Sequence, residues 1–275
     1  LGVERERIEL DALGVDSVLD MSRLNRFLQF DKKKGTLCVE AGATLADILA
    51  VIVPQGWFFP VIPGTKYATI GGAVACNVHG KNHFESGELA EHVISLELRT
   101  ANGKLLTCSP QEQSEIFWAT TGGMGMTGVI ETVTIKLKHI RSQILEVETK
   151  QTSDLAEMIA LMRHHAKDSE YMVGWIDHFA GSERLGEGVF EKAKHVNNAK
   201  DGDVKQYRVC GQRISVPIYL PPFVLNKYMM ALYNRQRFAK YSADFKQESV
   251  NFEGFFHPLD SIANWNRLYG KRGFL

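Results

Sequence analysis

One short loop of this 275-residue chain concentrates the side chains most able to do chemistry. His79, Lys81, Asn82 and His83 follow directly on a run of small residues. An imidazole exchanges protons near neutral pH, and a lysine ammonium stabilises an oxyanion or a phosphate as a point charge. We therefore expect His79 and Lys81 to be catalytic candidates, with Lys81 also in contact with substrate. We interpret His83 as a structural or surface residue.

The segment before this loop is rich in glycine and other small residues. Gly64 follows a proline, and Thr69, Gly71 and Gly72 stand at the start of a short predicted helix. Glycine lets a backbone approach a ligand closely, and a helix N-terminus at Gly71–Gly72 would direct free N–H groups at an anion. Binding of a nucleotide cofactor needs both features, so the segment predicts a nucleotide site.

A second glycine motif argues against a Rossmann domain. Gly123-Met-Gly-Met-Thr-Gly128 matches the GxGxxG pattern letter for letter. The dinucleotide fingerprint requires a strand before the motif and a helix after it. Here a predicted helix precedes the motif and a predicted strand, Val129–Lys138, follows it. The glycines are better interpreted as a tight turn.

Local signals define the elements that must position these residues. Thr44 with Asp47 forms a predicted capping box at the start of a helix, and Asn102-Gly103 is a strong hairpin turn. Ser109 to Glu112 is a second predicted capping box that opens a helix. The glycine-rich character stops near residue 142, which predicts two domains, 1–142 and 143–275. The second contains predicted helices at Asp154–Lys167, Asn226–Lys240 and Asp260–Tyr269 and predicted strands at Met172–Asp177 and Val250–Phe256.

Composition narrows the class of protein. Lys plus Arg and Asp plus Glu both number 32, so the charge balance does not indicate a nucleic-acid partner. The four cysteines are scattered without metal-ligand spacing, which predicts reduced thiols in an intracellular, cytoplasmic protein and no metal site. No apolar run is long enough to span a bilayer. The chain starts at Leu1 inside a patterned segment, and we expect it to be a fragment.

The order of motifs resembles the vanillyl-alcohol-oxidase superfamily, the flavoproteins with a PCMH-type FAD-binding domain. Within it, the motifs look most like the decaprenylphosphoryl-ribose 2′-oxidase group. The resemblance covers nearly the whole chain, and 181–206 matches least. It rests on Pro63-Gly-Thr, Gly71-Gly72-Ala, Ala75-Cys76, His79-Gly-Lys-Asn-His83, Phe117-Trp-Ala-Thr, Gly122-Gly123, Phe256-His-Pro-Leu-Asp260 and Trp265-Asn-Arg-Leu-Tyr-Gly270.

The resemblance implies an α+β fold: a PCMH-type FAD-binding domain followed by a substrate domain built on an antiparallel sheet. It implies noncovalent FAD, and Trp175 as an aromatic residue of the substrate pocket. The family's first pyrophosphate loop and its C-terminal third are expected outside this sequence. The implied flavin contacts are Gly64, Thr69, Gly71, Gly72, His79, Gly80, Lys81 and Asn82, with Ile130 near the adenine.

The resemblance also implies a reaction. A secondary alcohol of a sugar, such as a polyprenyl-phosphosugar, would be oxidised to a ketone by hydride transfer to flavin N5. A quinone or oxygen would reoxidise the flavin, and a separate NAD(P)H-dependent reductase would consume the keto-sugar. The implied setting is bacterial, with the sugar a precursor of cell-wall arabinan.

Three alternatives remain open at this point. The first is an aldonolactone or alditol oxidase of the same superfamily, with a free sugar as substrate. The second is a truncated or degenerate flavin fold without catalysis, and the third a nucleotide-binding regulatory module. The apolar, proline-broken segment Ile214–Val224 bears on the first, because its exposure would favour a lipid carrier and peripheral contact with a membrane.

Overall fold

The computed structural model describes residues 19–178, 184–197, 204–221, 224 and 226–270. Its helices are α1 (Leu45–Ile52), α2 (Ile70–Ala75), α3 (His83–Ser86), α4 (Ser114–Thr120), α5 (Leu155–His165), α6 (Lys227–Phe238) and α7 (Phe252–Phe256). Its strands are β1 (Phe27–Asp31), β2 (Thr36–Glu40), β3 (Trp57–Phe58), β4 (Val93–Arg99), β5 (Leu105–Cys108), β6 (Val129–Lys136), β7 (Lys138–His139), β8 (Ile144–Thr152), β9 (Tyr171–Ile176), β10 (Gly188–His195), β11 (Ile214–Ser215), β12 (Lys246–Asn251) and β13 (Ile262–Ala263).

The first half is built on a five-stranded antiparallel sheet with the order β1-β2-β6-β4-β5. The central strand β6 pairs Val133 with Val39 of β2 on one side and with Leu96 of β4 on the other. These three side chains are fully buried, because alternate residues of each strand face one side of the sheet. Helices α1 and α2 contribute further apolar residues to the same core.

The second half is built on a four-stranded antiparallel sheet with the order β12-β8-β10-β9. Helix α5 packs so closely on β9 that a Cβ atom at Gly174 would lie 2.9 Å from the sulfur of Met158. One hydrophobic core is continuous from the first half into Tyr171 and Phe252 of the second. The fold is therefore the α+β arrangement with an antiparallel second sheet that the family resemblance implied. The boundary near residue 142 falls between β7 and β8 and stays a prediction.

Two local predictions are confirmed. The Thr44 hydroxyl accepts the N–H of Asp47 at the start of α1, and the Asp47 carboxylate in turn accepts the N–H of Thr44. Strands β4 and β5 form a hairpin through Asn102-Gly103, where Gly103 has a φ of 82°. The inverted context of Gly123–Gly128 is confirmed as well, since α4 precedes it and β6 follows it.

Several other local predictions are wrong. The Ser109 hydroxyl accepts the N–H groups of Gln111 and Glu112 in a turn, and the helix begins only at Ser114. The strand predicted over Val250–Phe256 ends at Asn251, whose side chain caps α7. The predicted helix Asp260–Tyr269 is instead the short strand β13 and a 3-10 helix. Within the described part of the chain, no helix combines the length and the apolar character that crossing a bilayer requires.

Candidate active site

A cleft of about 310 Å³ lies where the two halves meet. One wall is the loop after β3, and a second wall is the loop between α2 and α3. The remaining wall comes from β9 and α7 of the second half. Its lining residues are Ile62, Pro63, Gly64, His79, Gly80, Lys81, Met172, Val173 and Phe256. The structure thus brings four of the sequence-predicted residues together: Gly64, His79, Gly80 and Lys81.

A side-chain hydrogen bond and a close backbone approach hold the two loop walls against each other. The buried side chain of Asn82 donates a hydrogen bond to the carbonyl of Pro60 at 2.7 Å. A Cβ atom at Gly80 would lie 2.8 Å from the carbonyl oxygen of Ile62, so this position accepts only glycine without a shift of the wall. Asn82 therefore shapes the cleft from behind and does not line it.

Lys81 is fixed at the edge of the cleft by the second half of the chain. Its ammonium donates to the carbonyl of Phe255 at 2.6 Å and lies 3.8 Å from the centre of the Phe255 ring. Its own carbonyl accepts the N–H of Met172 at 2.8 Å. Burial lowers the pKa of Lys81, an effect that nearby Glu191 opposes and Arg237 reinforces. The cation is thus held in place and partly desolvated.

His79 is exposed at the mouth of the cleft. Its ring packs edge-on against His83, with 5.6 Å between the ring centres. Within the described residues, no protein group forms a hydrogen bond with the His79 ring. The ring therefore has both nitrogens available to a ligand, whereas His83 does not line the cleft.

The expectation of free N–H groups at the start of α2 is wrong. The N–H groups of Ile70 and Gly71 donate to the carbonyls of Ala43 and Ala41, and that of Gly72 to the Thr69 hydroxyl. Gly71 serves close packing, because a Cβ atom there would lie 2.7 Å from that of Ala41. The flavin contacts of Thr69, Gly71 and Gly72 stay predictions without an anion-binding helix terminus to support them.

Ile130 and Trp175 do not line the cleft. Ile130 is buried in β6 opposite Leu98. Trp175 lies on β9 beside α6, where its indole N–H donates to Asn234 at 3.4 Å and the Arg237 guanidinium stacks on its ring at 4.6 Å. The adenine contact of Ile130 and the substrate contact of Trp175 stay predictions.

Sequence reasoning missed the apolar lining of the cleft. Met172, Val173 and Phe256 come from elements about 100 to 200 residues away from the histidine loop in sequence. Of these three residues, sequence motifs had singled out Phe256 alone, as part of Phe256-His-Pro-Leu-Asp260. The other two residues reach the cleft through contacts between elements far apart in the chain, and no local sequence pattern predicts those contacts.

The first part of the chain is similar to a known domain. Residues 10–109 match the sequence profile of the FAD binding domain. The match identifies an FAD-binding domain of the PCMH type in the first part of the chain, and the cofactor of that domain is FAD.

The chain is also similar to two characterised oxidases. It is 33% identical to the decaprenylphosphoryl-β-D-ribose oxidase of Mycolicibacterium smegmatis, over 94% of this chain and 57% of that protein. It is 32% identical to the L-gulonolactone oxidase of Mus musculus, over 56% of this chain and 34% of that protein. The chain thus spans less than two thirds of the length of either relative.

The cleft fits one end of FAD. Its walls are partly bare backbone at Gly64 and Gly80, and no atom would lie within 4 Å of a Cβ atom at Gly64, so a flat ring could approach there. The Lys81 ammonium suits a ring system that gains negative charge on reduction. The start of α2 offers no N–H donor to a pyrophosphate, so that end of the cofactor needs other residues.

Proposed function

We propose that this chain is the FAD-binding and substrate-binding part of an oxidoreductase that converts a secondary alcohol of a sugar to a ketone. The observation that carries the proposal is the junction cleft, where the exposed ring of His79 and the fixed ammonium of Lys81 face an apolar wall. FAD, when bound, supplies the acceptor for the hydride of the alcohol carbon.

The chain's own residues supply the other functions. His79 is the group positioned to accept the hydroxyl proton of the substrate, because its ring is uncommitted and exposed to the cleft. Lys81 is positioned to stabilise negative charge on the oxygen or on the ring system as it develops. Its partial burial strengthens that interaction, since water screens a desolvated charge less.

A lipid-linked sugar is the substrate class that we favour. Residues 204–243 contain seven basic residues and no acidic one, in a chain whose total charge is zero: Lys205, Arg208, Arg213, Lys227, Arg235, Arg237 and Lys240. The same region exposes apolar side chains, namely Ile214, Ile218, Tyr228 and Met229. Basic residues interleaved with exposed apolar ones suit a surface of anionic lipid, where a polyprenyl carrier would reside.

Anaerobic reduction of the bound flavin tests this substrate class. Bleaching of the FAD-loaded protein by a polyprenyl-phosphosugar, but not by a free aldonolactone, supports the proposal. Bleaching by L-gulonolactone alone would support the aldonolactone-oxidase alternative. The similarity of the chain to L-gulonolactone oxidase is the reason to include this sugar. Bleaching by neither would contradict sugar oxidation.

The proposed partners follow from the proposed chemistry. A reduced flavin needs an electron acceptor, for which we propose a quinone or oxygen. A keto-sugar product is the substrate of a ketone reduction, for which we propose a separate NAD(P)H-dependent reductase. The measurement is reoxidation of the reduced protein in stopped flow with a soluble quinone and with oxygen in parallel.

A further inference from the structure

A buried polar cluster joins the two halves directly behind the cleft. The ammonium of Lys66 is paired with the carboxylate of Glu253 and donates to the carbonyl of Cys210 at 2.8 Å. The hydroxyl of Tyr207 donates to the same carboxylate at 2.5 Å. Asp260 accepts the backbone N–H of Lys66 at 2.8 Å. The Lys66 side chain is only 1% exposed, so this pair is held away from water.

His257 is the unusual member of this cluster. Its side chain is 0% exposed, and neither ring nitrogen makes a hydrogen bond of normal geometry within the described residues. The Asp260 carboxylate lies 4.0 Å from Nδ1, and the backbone of Gly64 makes a polar contact with the ring that raises its pKa. Buried polar atoms are nearly always hydrogen-bonded, so an imidazole left this way needs an explanation.

The position of the cluster suggests an explanation for this buried imidazole. His257 directly follows Phe256, which lines the cleft, and Lys66 lies two residues after Gly64, which lines the wall formed by the loop after β3. The side chains that hold Lys66 and His257 therefore set the separation of Gly64 and Phe256. No residue of the cluster itself faces the cleft.

We propose that His257, together with Asp260 and the Lys66–Glu253 pair, is a positioning residue that holds the Gly64 wall of the cleft against Phe256 only while its ring is neutral. The proposal rests on the proposed function in that it concerns the same cleft. It adds that the cleft opens when His257 takes up a proton.

The surrounding charges explain why the neutral ring is required. Burial lowers the pKa of His257, and the Lys66 cation lowers it further, whereas Asp260, Glu253 and the backbone contact with Gly64 raise it. Tyr67, Tyr207 and Cys210 are the other titratable groups of the loop and segment packed on the cluster. Adding a proton to the ring would bury a further charge in a site closed to water, a cost that the Asp260 and Glu253 carboxylates offset only in part.

The sign of the pH effect follows from this lowered pKa. An open cleft exposes His257 to water, where its pKa is about 6.5. As pH falls below that value, the open form binds a proton that the closed form does not. Protection of the wall from hydrogen exchange should therefore fall by about tenfold per pH unit, and should level off at the lower pKa of the closed form.

Hydrogen–deuterium exchange of the full chain between pH 7.5 and 5, corrected for the intrinsic rate, tests the proposal without any cofactor. In the wild type, peptides over 62–69 and 254–258 should lose protection as pH falls, while β6 should not. In H257Q the pH dependence at 62–69 should disappear. An equal pH dependence in the wild type and in H257Q would overturn the proposal.

A second variant keeps the test decisive if H257Q does not fold. In D260N the pKa of His257 falls further, so the loss of protection should continue to a lower pH than in the wild type. A purely structural contact would instead change protection equally at every pH. His195, whose pKa burial lowers to about 4, is unchanged in both variants and contributes the same background.

Retention of FAD, measured at the same pH values, separates this proposal from the proposed function. If the wild type holds FAD, its release should follow the exchange transition and should be pH-independent in H257Q. If the wild type does not hold FAD, the proposed function fails for this chain, and the exchange experiment still decides the role of His257.

Discussion

At the scale of single residues, His79 and His83 lie four positions apart, and substitutions at the two positions should have different effects. His79 lines the cleft with its ring uncommitted, whereas His83 packs against it from outside the cleft. Both histidines are exposed, His79 in the loop between α2 and α3 and His83 at the start of α3. Comparison of the two therefore separates a chemical role from a general effect of altering the loop.

The substitution H79Q should slow substrate-dependent flavin reduction by about 10²-fold or more, because loss of a positioned base typically costs that much. H83Q should leave the rate within about twofold and serves as the matched control. The measurement is single-turnover reduction under anaerobic conditions. Equal rates for H79Q and the wild type would remove His79 from the chemistry.

Sequence alone was enough to place these polar residues, because glycine spacing and residue type are local properties. His79, Gly80 and Lys81 are neighbours in the chain, so their meeting in a cleft needs no knowledge of the fold. Met172, Val173 and Phe256 complete the cleft through strand pairing and helix packing between distant segments. No local pattern encodes that pairing.

At the scale of elements, the sequence correctly predicted a short helix of small residues at α2, but the role assigned to those residues was wrong. The small residues that suggested an anion site instead allow α2 to lie against the end of β2. The N–H groups at its start are already bonded to Ala41, Ala43 and Thr69. Sequence reasoning could predict the helix and its small residues but not which neighbour they accommodate.

The neighbouring glycines Gly71 and Gly72 give a matched test of this explanation. G71A should destabilise the fold by about 1–3 kcal/mol, because its Cβ would lie 2.7 Å from that of Ala41. G72A should change stability by less than about 1 kcal/mol, since Gly72 is exposed and only the Thr69 hydroxyl is near, at 3.1 Å. Urea unfolding followed by circular dichroism measures both. Equal stability of the two variants would refute the packing role.

At the scale of the whole molecule, the two halves are joined by a shared core and by buried polar contacts. Phe58 of the first half packs on Phe252 and Phe256 of the second, with ring centres 4.9 and 5.7 Å apart. The Lys66–Glu253 pair crosses the same junction. The cleft therefore depends on both halves being folded together.

Breaking the buried pair should cost far more than breaking an exposed one. K66M leaves the Glu253 carboxylate buried without its cation, which should destabilise the protein by about 3–5 kcal/mol. The control R99M breaks the exposed Arg99–Glu131 pair and should cost less than about 1 kcal/mol. Thermal and urea unfolding would reveal the difference. Similar losses in both variants would contradict a desolvated junction.

The most direct test of the central claim is an absorption spectrum of the purified 275-residue chain, after FAD is added and the excess removed. We predict retained bands at roughly 370 and 450 nm, where bound oxidised flavin absorbs. Circular dichroism on the same sample establishes that the chain is folded. A folded but colourless protein would contradict the account, because the cleft between the two halves would then not be a flavin site in this chain.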